Sequence, residues 1–347
     1  MDEVVPMKEM LKARNLPALK SREEMLEILQ RQEYGYLPEA PEALEFEFIE
    51  KLSPNYCAGK AVGNRMRALC KVRGRWFSFP FVYVAPLNGK KNPFFVHINF
   101  RGDVPDRYMP TEEIVDGGFG CLSFDYQEVA KDSADLKFGL PGILFPDGQR
   151  GPADPGKIAL WAWAAMRLMD FAQTCAELDP TRGIVCGHSR LGKTALFTAA
   201  MDTRFAMGYS NDSGCSGAAL SRGRSEKGES VARITTRFPY WFCQNYLDYE
   251  GDVDKLPFDQ HFLLASIAPR PVFVGSATED HWADQLSEQL CCLAAAPAFE
   301  GGFVCDHIAR PDEVFDEGRI GYHLRTGTHY FCRQDWQRLM DFARKHL

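Results

Sequence analysis

At 347 residues and 45% hydrophobic content the chain is long enough to bury one large core or two modest ones. Its 47 acidic and 40 basic residues give a formal charge of −7 with no long block of like charge, so no nucleic-acid partner is expected. No stretch approaches the roughly 20 apolar residues of a membrane span, so no membrane partner is expected either. The opening Met1-Asp2-Glu3-Val4-Val5-Pro6-Met7-Lys8 has neither the basic nor the apolar region of a secretory signal. Eleven cysteines, an odd set without a CxxC pair, read as free buried thiols in a reducing compartment rather than as a disulfide framework or zinc ligands. A cytoplasmic location follows, although a removed leader would leave the same pattern, and the oligomeric state is not written in the sequence.

No repeat, low-complexity tract or Ser/Gly linker divides the chain, and one domain over 1–347 is the simplest reading. The first ninety residues carry an amphipathic helix over Arg22 to Gln30. Strand-like runs follow at Leu44–Glu50, Met66–Arg73 and Phe77–Val84, an antiparallel lead-in. From Pro93 the texture becomes short apolar strands alternating with helices, the pattern of parallel βαβ units. The strands are Phe94–Ile98, Gly120–Phe124, Gly183–Cys186, Ala206–Ser210 and Pro271–Val274, with a strand-like run at Ile320–Leu324. The helices are Lys157–Thr174, apolar on one face, Leu191–Met201, Phe258–Ile267, Ala283–Ala295 and Gln334–His346.

Polar residues of chemical interest cluster after strand ends, where open parallel sheets bind ligands. Arg182–Cys186 reads as a buried strand, Gly187-His188-Ser189 as a sharp turn and Leu191–Ala200 as a helix. That is the context of a nucleophile elbow, which lifts a serine hydroxyl to the head of the sheet beside a helix N-terminus. The usual G-x-S-x-G is broken, because Leu191 holds the second glycine position and Gly192 comes one residue later. The run GHSRLGKT equally matches a P-loop, with Lys193 and Thr194 as phosphate and Mg²⁺ contacts. An ordinary turn is a third reading, opposed by Arg190 and Lys193, cations that work against the helix dipole in a first turn.

A triad requires an acid and a histidine further along the chain, and both are present. His329 lies in a loop between the Ile320–Leu324 run and the last helix and is the candidate base. His323 falls inside the strand-like run and should pack, His188 is too constrained beside the serine to act as base, and His281 and His346 lack a comparable context. Asp280, at a strand end late in the sheet, and Asp212, after the strand that follows the nucleophile helix, compete to orient His329, with Asp280 slightly preferred because a short Asp side chain must travel further from the earlier strand.

The run CGHSRLGKTALFTAAMDTRFAMGYSNDSGCSGAALSR, with FPYWFCQNY, LPFDQHFLLASIAPRPVFVGSATEDHWAD and IGYHLRTGTHYF after it, resembles the bacterial members of carbohydrate esterase family 15, the glucuronoyl esterases. The resemblance runs from Asp154 to the C-terminus. It implies an α/β-hydrolase fold, a three-layer αβα sandwich, and a serine-dependent carboxylic ester hydrolase without metal or organic cofactor. The implied substrate is an ester of 4-O-methyl-glucuronic acid in xylan-derived saccharides. Ser189 then matches the nucleophile, His329 the base, Arg190 the arginine that helps hold the oxyanion and Lys193 a lysine that meets the sugar hydroxyls. Glu229 resembles the family's sugar-binding glutamate, with two extra residues upstream, and Trp282 the tryptophan at the sugar. An aromatic two residues past a strand-end acid can also stack on a pyranose or simply pack in the core. Fungal members place a glutamate where Asp212 stands and some bacterial members an aspartate where Asp280 stands, so the acid stays open.

The match has gaps. The stretch His97–Gly102 lacks the doubled glycine expected near the oxyanion and adds Arg101, and Asp125–Gly151 diverges. An acetyl xylan esterase with the same triad is the main alternative, with a non-catalytic sugar-binding protein and a P-loop NTPase behind it.

Overall fold

The computed structural model describes residues 7–347, so the reading of the first six residues lies outside it. Helices α1 (Met7–Lys12) and α2 (Arg22–Leu29) open the chain. A capping box starts α2: Ser21 Oγ accepts the Glu24 N–H, and the Glu24 carboxylate accepts the Ser21 N–H at 3.1 Å. The helix then loosens into a π turn over Gln30–Tyr34, ended by Gly35 at φ 85°.

The strands β1 (Ala43–Lys51), β2 (Ala61–Val72), β3 (Arg75–Pro86), β4 (Asn92–Asn99), β5 (Gly120–Asp125), β6 (Leu178–His188), β7 (Met207–Asn211), β8 (Val272–Ala277), β9 (Val314–Phe315) and β10 (Ile320–Arg325) form one sheet. Their order is β1-β2-β3-β5-β4-β6-β7-β8-β10-β9. Strands β5, β4, β6, β7, β8 and β10 pair in parallel with their neighbours, and the antiparallel lead-in joins the same sheet where β3 pairs with β5. The remaining helices are α3 (Thr111–Asp116), α4 (Leu140–Leu144), α5 (Lys157–Ala172), α6 (Arg190–Met201), α7 (Val231–Arg237), α8 (His261–Ala265), α9 (Gln285–Ala295) and α10 (Arg333–His346).

Strand alternation shows how the layers stack. Phe94, Val96 and Ile98 of β4 join a core with α5, α6, α8 and α9, whereas Phe95 points into a second core with Trp336 and Leu339 of α10 and Ile114 of α3. Both faces of the parallel strands are therefore dry, and their apolar runs are near-continuous for that reason.

Two elements differ from the sequence reading. Helix α5 was expected to bury one face, yet it is buried nearly all round. Segments before it in the chain cover its outer side, with the Trp161 and Trp163 indoles donating to the Ala130 and Glu39 carbonyls at 2.9 Å each. The helix expected over Phe258–Ile267 is only α8, because the Asp259 carboxylate accepts the N–H groups of Ser221 (2.6 Å), Arg222 (3.1 Å) and Gln260 (2.8 Å) and fixes that stretch as a turn. Strand β7 forms where it was expected, and a Cβ on its Gly208 would lie 2.8 Å from Ala199 Cβ, so the glycine lets α6 settle onto the sheet.

Candidate active site

Four neighbouring strands, β6, β7, β8 and β10, end on the same side of the sheet, and a candidate residue follows each. Ser189 comes directly after β6, Asp212 directly after β7, Asp280 after β8 and His329 after β10. All four line a cavity of about 310 Å³, together with Arg190, Lys193, Glu229, Arg237, Phe238, Trp241 and Trp282.

Ser189 has φ 58° and ψ −127°, a conformation that a side chain rarely adopts and that costs on the order of 1–3 kcal/mol. Its N–H is held by the Asn211 carbonyl at 2.8 Å, and α6 starts immediately after it. The turn closes so tightly that a Cβ on Gly187 would fall 2.2 Å from the Leu191 carbonyl oxygen. The displaced second glycine has a purpose too, since a Cβ on Gly192 would meet Ser210 Oγ at 2.9 Å and Ser213 Cβ at 3.1 Å. The first helical position falls on Arg190, whose N–H has no acceptor within the helix.

His329 Nδ1 and Asp280 Oδ2 are 2.5 Å apart, with the Asp280 carboxylate buried and the imidazole 43% exposed toward the cavity. The loops carrying the two residues are tied to each other. Glu279 N–H donates to the Gly327 carbonyl at 2.9 Å, and Gly327 N–H donates to Thr278 Oγ1 at 3.1 Å. From below, the Arg325 guanidinium donates to the carbonyls of Thr326 (3.1 Å), Thr328 (2.9 Å) and Tyr330 (2.7 Å), while its Nε meets both oxygens of buried Asp335 at 3.0 Å. The irregular His329 loop thus wraps around a fixed cation.

Asp212 sits in the same cavity but bonds differently. Its Oδ2 accepts the Tyr330 N–H at 3.3 Å and lies 3.9 Å from Arg325 Nη2, whereas Oδ1 is buried with no partner among the described residues. Burial, reinforced by the charges of Asp280, Glu288 and Asp335, raises its pKa well above the usual carboxylate range. Burial thus works against a charge on Asp212, and the 2.5 Å pairing of His329 Nδ1 is with Asp280, so both point to Asp280 as the orienting acid. One atom each from Asp212, Asp280 and His329 lies within 4.8 Å of the others, a set that a metal ion could approach, but the imidazole Nδ1 is already committed to Asp280.

His188 stays out of the proton chemistry. Burial, then the charge of His329, pushes its pKa well down; Nδ1 pairs with Asn211 Oδ1 at 2.7 Å, and its ring packs 4.4 Å from that of His329. His323 is fully buried between Tyr209 OH and Arg338, each 3.1 Å away.

Lys193, expected at a sugar hydroxyl, lines the cavity with its ammonium bonded to protein groups. Its buried ammonium donates to the carbonyls of Ser213 and of Cys215 (2.6 Å) and lies 3.5 Å from Glu229 Oε2, which uses its three donors on protein groups. Those partners also oppose the P-loop reading, as does Thr194, whose hydroxyl bonds back to the Arg190 carbonyl at 2.9 Å. Glu229 is buried at the cavity wall, its N–H held by the Trp282 carbonyl at 2.9 Å. Trp282 is 41% exposed, which overturns core packing, and the Arg233 guanidinium lies 5.6 Å from its ring centroid. In the stretch lacking the doubled glycine, the Phe100 N–H is taken by Asn99 Oδ1 at 2.7 Å.

Several groups that hold this site carry no signal in the sequence. Asp132 lies in the divergent segment and binds Arg190. Glu288 of α9 accepts the Gly214 N–H at 2.9 Å and the Ser276 hydroxyl at 2.5 Å, tying the loop after β7 to the end of β8. Arg325 reads in sequence as an ordinary strand-end residue.

A ten-stranded mostly parallel sheet with helices on both faces and a strained serine between strand and helix is the α/β-hydrolase fold. The comparisons give the family. A sequence model of the fungal glucuronyl esterases matches residues 70–301, more than half of the chain. A carbohydrate esterase from an unknown prokaryotic organism is 40% identical over 253 residues, covering 71% of this chain and 58% of its own length. The structure of a carbohydrate esterase family 15 member from a marine bacterial metagenome superposes with a TM-score of 0.83 at 31% identity, over 94% of this chain and 91% of that one. A glucuronoyl esterase from Solibacter usitatus gives a TM-score of 0.86 at 29% identity, over 94% and 92%. The chain belongs to carbohydrate esterase family 15, the glucuronoyl esterases, and spans somewhat more than half the length of the first curated relatives it matches.

Two outcomes follow from the bonding. Asp280→Asn should lower kcat for ester hydrolysis by about 10³–10⁴-fold, as loss of a triad carboxylate does, whereas Asp212→Asn, at a residue that bonds the Tyr330 N–H and not the imidazole, should cost less than about tenfold. Equal losses contradict the assignment. Burial raises Glu288 to about 7, so its folded-state pKa lies above its unfolded one and folded stability falls as pH rises from the unfolded value of about 4.3 toward 7. Thermal melts of Glu288→Gln should show a smaller decline in Tm across that window than the wild type, and parallel declines would refute the coupling.

Proposed function

We propose that this protein hydrolyses esters of glucuronic acid-type sugar acids in xylan-derived saccharides through an acyl-enzyme on Ser189. The observation that carries the reading is the 2.5 Å pairing of His329 with Asp280 at the wall of the cavity that Ser189 lines. Membership of the glucuronoyl esterase family and the likeness to the glucuronoyl esterase from Solibacter usitatus support the substrate class.

In this mechanism Ser189 Oγ attacks the ester carbonyl while His329 takes its proton through Nε2, with Nδ1–H held by Asp280. The carbonyl π electrons move onto oxygen, where the Arg190 N–H at the start of α6 and the Arg190 guanidinium receive the charge. One such preorganised donor is worth about 3–4 kcal/mol in comparable sites. His329 then protonates the departing alcohol; water, deprotonated by the same imidazole, attacks the acyl carbon, and the imidazolium returns that proton to Ser189 Oγ as the uronate is released. Trp282 offers an exposed ring face to the pyranose and Glu229 an acceptor for its hydroxyls, with Lys193 holding Glu229 and the 213–215 loop in place. No metal or organic cofactor takes part in these steps.

All eleven cysteines are free thiols, which supports a reducing compartment; among the described residues no helix is long and apolar enough to cross a membrane. In the cytoplasm the substrate would be an imported oligosaccharide or a simple alkyl uronate rather than polymer.

The reading is tested by comparing benzyl glucuronate with acetylated xylan. We expect turnover of the glucuronate, abolished in Ser189→Ala. Preference for acetyl groups would make the protein an acetyl xylan esterase, and uronate binding without turnover of any ester would make it a sugar-binding protein.

A further inference from the structure

Arg190 stands in the first turn of α6, where a cation opposes the helix dipole. Its compensation comes from a residue 58 positions earlier in the chain. Arg190 Nη1 donates to Asp132 Oδ2, and Asp132 is the one acceptor of that guanidinium among the described residues, with Nε buried and unpartnered. Asp132 is itself held from several sides. Its Oδ1 accepts the Trp241 indole N–H at 2.7 Å, Oδ2 accepts the Tyr126 hydroxyl at 2.8 Å, and its backbone carbonyl accepts the Tyr240 hydroxyl at 3.2 Å.

Aromatic rings enclose the guanidinium. Its carbon lies 4.9 Å from the Trp241 ring centroid, 5.6 Å from Phe100 and 5.7 Å from Phe238, and the Phe238 and Trp241 rings stack at 3.9 Å with only 4° between their planes. A free arginine side chain loses up to about 2 kcal/mol of rotamer entropy when it is fixed. Here the carboxylate and the rings impose that loss during folding, before any substrate binds, and stacking on aromatic faces offsets it. Nη1 is engaged by Asp132 and Nε is buried, while Arg190 itself lines the same cavity as Ser189.

We propose that Asp132 is a positioning residue for the reaction: it locks the Arg190 guanidinium in its aromatic enclosure so that the unoccupied N–H donors meet the ester oxygen as charge develops there, an inference that rests on the esterase reading above. Asp132 touches neither substrate nor reacting atoms. Its effect falls on the transition state, because the carbonyl oxygen of the bound ester carries little charge until Ser189 attacks.

The experiment is a double-mutant cycle on the full chain with Asp132→Ala, Arg190→Ala and the pair, read as kcat and KM on both benzyl glucuronate and p-nitrophenyl acetate. Asp132→Ala should lower kcat about 10–100-fold, within the range found for loss of one oxyanion donor, with KM changed less than about threefold, and the double variant should be no slower than Arg190→Ala alone. Asp132→Asn, which keeps an acceptor for Trp241, should fall between wild type and Asp132→Ala, and it carries the cycle if the alanine variant fails to fold by circular dichroism. Losses that multiply in the double variant, or a rise in KM at unchanged kcat, overturn the proposal. A wild type that turns over p-nitrophenyl acetate but not the uronate refutes the sugar-acid reading and leaves the Asp132–Arg190 cycle measurable, whereas one inert on both esters overturns both.

Discussion

The bond between His329 Nδ1 and Asp280 Oδ2 sets the terms for the rest of the site. It fixes which imidazole nitrogen carries the proton, and so leaves the other to face a nucleophile. Both partners sit on loops beyond strand ends, where the backbone has no ladder of its own, and an imidazole 43% exposed gains little orientation from packing. The orientation comes instead from hydrogen bonds between the two loops and from the Arg325 guanidinium, which gathers the carbonyls on either side of His329 while Asp335 holds it from beneath. On the other side, Gln285 Nε2 donates to the carbonyls of Ala277 (2.8 Å) and Thr278 (2.9 Å), anchoring the approach to Asp280.

The helix that starts at Ser189 raises a second electrostatic problem and answers it locally. Two cations in its first turn, Arg190 and Lys193, would each oppose the positive end of the helix dipole. Each meets a carboxylate, Asp132 for the first and Glu229 for the second. The outcomes differ because the lysine's donors are all engaged inside the protein, while the arginine has a single acceptor among the described residues and lines the cavity. Asp212 has no such cation at hydrogen-bonding distance, and burial beside Asp280 raises its pKa.

Much of this architecture was legible in the chain because it depends on local pattern or on order. Gly187-His188-Ser189 between an apolar strand and a helix announces an elbow, and Asp280 and His329 follow it in the order that such folds use. The parallel strands were recognisable as apolar runs because both sheet faces are buried. What escaped were contacts made by the fold. The choice between Asp212 and Asp280 turns on a neighbour's charge and on the direction of one imidazole edge, and neither leaves a mark in composition. Asp132 reaches Arg190 across 58 residues and Arg325 acts through carbonyls, which carry no side-chain identity. Helix α5 read as amphipathic although nearly every position is covered, because the segments that cover it come from earlier in the chain. The role of Lys193 rests on resemblance, and its partners, the Ser213 and Cys215 carbonyls and Glu229, lie 20 or more residues away and leave no local pattern.

The central claim is that the strained turn at Ser189 and the His329–Asp280 pair act together on one activated hydroxyl. Reaction with a serine-directed fluorophosphonate, followed by peptide mass spectrometry, tests it without any assumption about the sugar. The account predicts a single adduct, on the peptide containing Ser189, that forms much more slowly in His329→Ala. No adduct, an adduct on another serine, or labelling of Ser189 at an equal rate without His329 would contradict it.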